Sequence, residues 1–214
     1  MLQELVLSPL VDRATQTYRV LIFDRPGYGL SPRGKACTPA EQAELIDAAL
    51  RKLNVMSATV LGHSWGALVA AELALRPHSL VRRLVMVAGQ YFPSRPDAVF
   101  AAMPAIPFLG TIFRHTLQPI LGQLFWKKIL SKRFAPMPVP SYFRMFPKSA
   151  ALRPEQLKTA AVESALLIHG TKALKHHYRT IQVPTVIIAG RNDEVVSFGK
   201  QCASSPRFLA VSWF

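Results

Sequence analysis

Residues 60–67 read Val-Leu-Gly-His-Ser-Trp-Gly-Ala, an apolar run that stops at a serine set between two glycines. A strongly apolar stretch, WGALVAAELALRP (65–77), follows without any linker and stops near Pro77. Gly62-x-Ser64-x-Gly66 is the pattern of a strand that ends in a tight turn carrying the serine, with a helix leaving at once. A chain built around such a junction has few architectures open to it. Its strand must lie in a sheet whose connections are helices.

The rest of the chain repeats the alternation. YRVLIFD (18–24) is a continuous apolar run closed by Asp24, Pro26 and Gly27, as expected of a buried parallel strand and its turn. Within 38–55, Thr38 is a candidate N-cap, Pro39 stands at the first helical position and Glu41 follows, which is a capping box. Ala43, Leu45, Ile46, Ala49, Leu50 and Leu53 then recur at helical spacing. Sheet strands are expected at 18–24, 57–62, 81–88, 184–190 and 207–213, with helices at 39–53 and 65–76. The fold class is α/β, a three-layer sandwich with a parallel-rich sheet. Between these strands, residues 91–147 are rich in Pro, Phe and Arg, with helical pieces at 117–130, and 154–169 reads as an amphipathic helix. The expected division is a core over 1–90 and 180–214 with a mainly helical cap inserted over 91–179.

Composition narrows the surroundings. At 214 residues and 50% hydrophobic, the chain has material for one substantial core. Cys37 and Cys202 form no disulfide framework or C-x-x-C pair and read as free thiols in a reducing compartment, so a cytoplasmic location is expected. The start, MLQELVLSPLVDR, has no basic n-region and reads as no signal peptide. The apolar stretch 98–113 is broken by Pro104, Pro107 and Gly110, so no membrane span is expected. The net charge is +14, and residues 91–179 hold 13 Lys/Arg against 3 Asp/Glu. A cationic insertion surface is the plainest reading, with an anionic substrate or membrane surface as alternatives. No zinc-finger spacing, P-loop or aromatic nucleic-acid motif accompanies that charge, so no specific nucleic-acid partner is expected.

The chemistry centres on the turn. A serine hydroxyl needs a fixed, exposed position and a base to become a nucleophile. Gly62 and Gly66 are the small residues that let strand and helix approach, and the backbone N–H of Trp65 is placed as an oxyanion donor. An ordinary strand–helix turn with coincidental residues is the plainer reading of the same five letters. A second signal is IIAGRNDEVV (187–196), where Asp193 follows an apolar strand ending in Gly190. An acid there is suited to orienting a histidine.

These segments resemble the α/β-hydrolase superfamily, in its cap-bearing branch with a serine nucleophile. FDRPGYGLS (23–31), LGHSWGA (61–67), RPEQLKTAAVE (153–163) and AGRNDEVV (189–196) carry the likeness, which extends over nearly the whole chain. The resemblance implies hydrolysis of an ester or related bond through an acyl-enzyme, without metal or organic cofactor. It casts Ser64 as nucleophile and Asp193 as triad acid. Serine at 64 argues against the dehalogenases and epoxide hydrolases of the family, which use aspartate there.

The chain also departs from that pattern. No histidine follows Asp193; the last are His176 and His177. Residues 1–17 offer no room for the family's first three strands and the His-Gly loop that supplies a second oxyanion donor. The expectation is of a chain shortened at both ends, with strand edges left unpaired between 18–24 and 57–62. The alternative to a hydrolase is then a non-catalytic remnant or binding scaffold. His63 precedes Ser64 and is expected to point elsewhere. His115, His169, His176 and His177 read as surface or packing residues without metal spacing. Of the insertion's aromatic residues, Trp126 and Phe143 are candidate substrate-pocket residues, otherwise packing. They tilt the substrate toward a small apolar or moderately polar ester. Oligomeric state stays open.

Overall fold

The computed structural model describes residues 8–35, 38–91, 108–193 and 209–213. Along the chain come helix α1 (Pro9–Thr15), helix α2 (Pro39–Lys52), strand β1 (Ala58–His63), helix α3 (Trp65–Leu75) and strand β2 (Val81–Val87). Helices α4 (Leu109–His115), α5 (Leu117–Leu124), α6 (Trp126–Phe134), α7 (Lys148–Ala151) and α8 (Pro154–Leu174) follow. Strands β3 (Thr185–Gly190) and β4 (Leu209–Trp213) complete the order. The chain packs as two compact units, Met1–Lys35 with Ala98–Ser164, and Ala36–Asp97 with Ala165–Phe214. These units differ from the sequence-based division at 90 and 180, since the turn after residue 24 is tied to α8 within the first unit.

The second unit holds the sheet. Its four strands are parallel and ordered β1-β2-β3-β4, so each new strand adds beside the last. α3 is apolar on every side and is accordingly a core helix: Ala67, Leu68, Ala71 and Leu73 are all fully or nearly fully buried. α2 has a single buried stripe, Gln42, Ala43, Asp47 and Leu50. Its capping box forms as the sequence demands: the Glu41 N–H donates to Thr38 Oγ1 at 3.2 Å, and the Thr38 N–H to Glu41 Oε2 at 2.8 Å. Buried Asp47 accepts from Arg51 Nε at 2.9 Å and lies 3.7 Å from Arg76 Nε, just beyond the end of α3. β3 alternates buried and half-buried positions, while β1, bonded only to β2, leaves Thr59, Leu61 and His63 exposed.

One expected strand is not formed. Residues 19–25 carry no regular structure, and no described strand pairs with them. A run of apolar, β-branched residues becomes a strand only when a neighbour completes its hydrogen bonds, whatever its propensity. The incomplete sheet expected from the sequence lacks this strand among the described residues. Pro9 stands at N1 of α1, behind Ser8, whose Oγ accepts the Leu10 N–H at 3.2 Å. The expected 117–130 helix is divided at Phe125, and the helix expected over 154–169 runs on to Leu174.

The first unit is knit by side chains. Phe143 stacks on Phe146 (centroids 4.9 Å apart), and Phe134 meets Phe143 edge-on at 5.0 Å. The turn after Asp24 is fastened to α8 by Glu163. Arg25 Nη1 donates to Glu163 Oε1, Arg25 Nη2 to Oε2 at 3.2 Å, and the Tyr28 hydroxyl to Oε2 at 2.8 Å. The Arg25 guanidinium lies 4.7 Å from the centroid of the Tyr28 ring. Burial, reinforced by the Glu163 charge, pushes the Tyr28 hydroxyl well above its usual range, so it keeps the proton it donates. Gly27 (φ +83°) makes the turn close: a Cβ there would collide with the Thr159 side chain.

Candidate functional site

β1 runs straight into α3 through Ser64. The serine occupies the N-cap position at φ 54°, ψ −122°, a region that non-glycine residues rarely enter. It is held there by its own N–H, which donates to the Val87 carbonyl at the end of β2 (2.9 Å). Its carbonyl accepts the Ala67 N–H at 3.0 Å. An N-cap serine normally spends its hydroxyl on the helix. Ser64 makes no such side-chain cap bond, and the residue is exposed. The Trp65 N–H is at N1, where no intrahelical acceptor exists.

The two glycines differ in what they do. A Cβ on Gly62 would lie 2.6 Å from the Gly66 carbonyl carbon and 2.7 Å from Ala67 Cα, so strand and helix pack backbone to backbone. A Cβ on Gly66 would meet nothing within 4 Å among the described residues. Gly66 contributes its main chain to the close approach, and only Gly62 is required to be small. The strain at Ser64 also has a measurable consequence. Ser64→Gly is expected to raise unfolding stability by about 1 kcal/mol, since glycine enters this conformation freely. Urea denaturation of the two proteins checks it, and a less stable glycine variant would contradict it.

Asp193 lies three residues beyond β3, its N–H donating to the Gly190 carbonyl at 3.3 Å. Because β1, β2 and β3 are parallel, with His63 beside Val87 and Val87 beside Ile188, Ser64 and Asp193 both follow the carboxyl ends of their strands. β2 stands between them. The two strands are therefore two inter-strand spacings apart, roughly 9–10 Å. Beyond β2, Tyr91, only 1% exposed, accepts the Gly89 N–H on its hydroxyl at 3.3 Å. Tyr91 packs edge-on against Tyr178, with centroids 6.1 Å apart. Sequence pattern gave no sign of this tyrosine's place; a buried aromatic just past a strand end was the only available signal.

His177 acts on the Glu72 carboxyl, whose pKa is raised by burial and drawn back by His177 and Arg76. Glu72 is eight residues along α3 from Ser64, roughly 12 Å. His63 is exposed at the end of β1. Trp126 is half-buried and stacks on Phe146 at 6.2 Å, and Phe143 is buried in the same aromatic group of the first unit. Among the described residues no cluster of His, Cys, Asp and Glu is arranged to hold a metal. The groove lined by Tyr178 to Thr185 adjoins the amino end of β3, the sheet edge away from Ser64. No described helix is long and apolar enough to cross a membrane.

A parallel sheet whose first strand delivers a strained, exposed serine to a buried helix defines a class, and comparison with known proteins agrees. Residues 4–207 match the model of the alpha/beta hydrolase fold, and the chain belongs to that family. It is 27% identical over 192 residues to a 2-hydroxy-6-oxononadienedioate/2-hydroxy-6-oxononatrienedioate hydrolase of a Pseudomonas species, covering 84% of this chain and 62% of that one. It is 33% identical over 88 residues to a probable lysophospholipase, BODYGUARD 3, of Arabidopsis thaliana, covering 40% and 18%. The chain thus spans less than two thirds of the length of either relative. The enol-lactonase of Burkholderia xenovorans LB400 superimposes with a TM-score of 0.70 at 20% identity, over all of this chain and 80% of that one.

Proposed function

We propose that this chain carries the acylation site of a serine hydrolase acting on carboxylic esters. Ser64 Oγ bonds to the ester carbonyl carbon, the alcohol leaves with the serine's proton, and water then releases the acid from the acyl-enzyme. The Trp65 N–H steadies the negative oxygen, and Asp193 is the acid that would orient a histidine base taking the serine's proton. The observation carrying this reading is the Ser64 backbone, strained at φ 54° while its hydroxyl is left uncommitted to the helix. Membership of a family whose named relatives include hydrolases supports it. The substrate is a small apolar or moderately polar ester. No metal or organic cofactor enters this chemistry. Two cysteines, Cys37 and Cys202, in no C-x-x-C pair fit a reducing, cytoplasmic setting.

A second reading has an observation of its own. It is a hydrolase-fold scaffold without catalysis; in the 214 residues no histidine follows Asp193. Losing a triad member leaves only residual rates. The 214-residue chain is accordingly expected to hydrolyse p-nitrophenyl butyrate far more slowly than about 1 s⁻¹. A slow rate that disappears in Ser64→Ala supports the acylation site. A rate unchanged in Ser64→Ala supports the scaffold, and Ser64-dependent turnover near 1 s⁻¹ would reveal a base that neither reading contains.

A further inference from the structure

A helix on a protein surface normally turns its apolar stripe toward the core. α5 does the reverse. Leu117, Ile120, Leu121 and Leu124 recur at i, i+3, i+4 and i+7, forming one stripe, and are 49%, 63%, 36% and 72% exposed. The side that faces inward is small and polar: Gly122 is buried against Leu152, and Gln118 Oε1 is buried without a partner among the described residues. Phe125 and Ile129, also exposed, extend the apolar surface into α6.

The same segment is one-signed in charge. Residues 98–154 contain eight Lys/Arg and no Asp or Glu. Lys127, Lys128, Lys132 and Arg133 on α6 are exposed, and none forms an ion pair among the described residues. A second copy of the chain would bring like charges together on this face. A nucleic acid would engage the charges and leave the leucine stripe in water. A bilayer with anionic headgroups satisfies both features, taking apolar side chains at the acyl boundary and cations at the phosphate level.

We propose that α5 and α6 form a docking face for the surface of an anionic lipid bilayer. α5 lies in the interface and does not cross it, its eight residues spanning only about 12 Å. The face is independent of Ser64 chemistry, so docking and hydrolysis can fail separately.

Sedimentation of the 214-residue chain with vesicles tests it, using phosphatidylcholine alone and with about 30 mol% phosphatidylglycerol. The protein is expected to pellet with the anionic vesicles at ~50 mM salt, much less at ~500 mM, and weakly with the neutral ones. The paired variants Leu121→Ser/Leu124→Ser and Lys127→Glu/Lys128→Glu, each shown folded by circular dichroism, are expected to lower partitioning about tenfold or more. Failure to pellet with anionic vesicles would overturn the proposal, as would equal partitioning of the leucine variant. Tight binding to oligo-dT that only the lysine variant loses would reassign the face to nucleic acid.

Discussion

Glu163→Gln is expected to lower the unfolding free energy by about 3 kcal/mol, the low end for a buried pair, because it takes the Glu163 charge from a half-buried guanidinium. Glu163 is 7% exposed, and the Arg25 side chain it faces is 22% exposed. Glutamine keeps the shape of glutamate but removes the charge that answers Arg25. It also turns a pure acceptor of the Tyr28 hydroxyl into a group with its own protons to place. Tyr28→Phe removes only one hydrogen bond from the same node and is expected to cost about 1 kcal/mol. Urea denaturation of both variants decides the matter. A Glu163→Gln loss no larger than that of Tyr28→Phe would mean that water, and not Glu163, answers the Arg25 charge.

Gly62→Ala is the second large effect, expected at about 3 kcal/mol, with loss of any Ser64-dependent reactivity. The added methyl would meet backbone at 2.6 and 2.7 Å, and backbone cannot swing aside as a side-chain tip can. Either β1 or the start of α3 must shift, and Ser64 lies between them. Gly66→Ala meets open space among the described residues and gains helix propensity worth up to about 1 kcal/mol, so it is expected to be neutral or mildly stabilising. A reversed order of the two alanine variants in denaturation would contradict the close strand–helix approach.

The parts of the fold that the sequence discloses are those whose causes are local. The capping box at Thr38 and Glu41 marks the start of α2 within one residue. Gly62, Ser64 and the apolar run after them mark the β1–α3 junction. Residues 18–24 have the composition of a buried strand, but pairing depends on a neighbour and not on composition. Glu163 lies 138 residues from Arg25, a distance over which no pattern operates. Even so, both ends of that contact fall inside segments that resemble the α/β-hydrolases. Periodicity shows that Leu117, Ile120, Leu121 and Leu124 share a face of α5; it does not say whether the face meets core or solvent. For the site, the serine is legible from its flanking glycines, whereas the bond from the Gly89 N–H to the Tyr91 hydroxyl is not, since only the path of the chain after β2 makes it.

Acylation at Ser64 is the step that the proposed function requires. The direct measurement is hydrolysis of p-nitrophenyl butyrate as free imidazole is titrated into the native chain and into Ser64→Ala. Imidazole reaching the exposed Ser64 should act as the general base, so the native rate is expected to climb above that of Ser64→Ala as imidazole is added. Rates that superimpose at every imidazole concentration would contradict the claim.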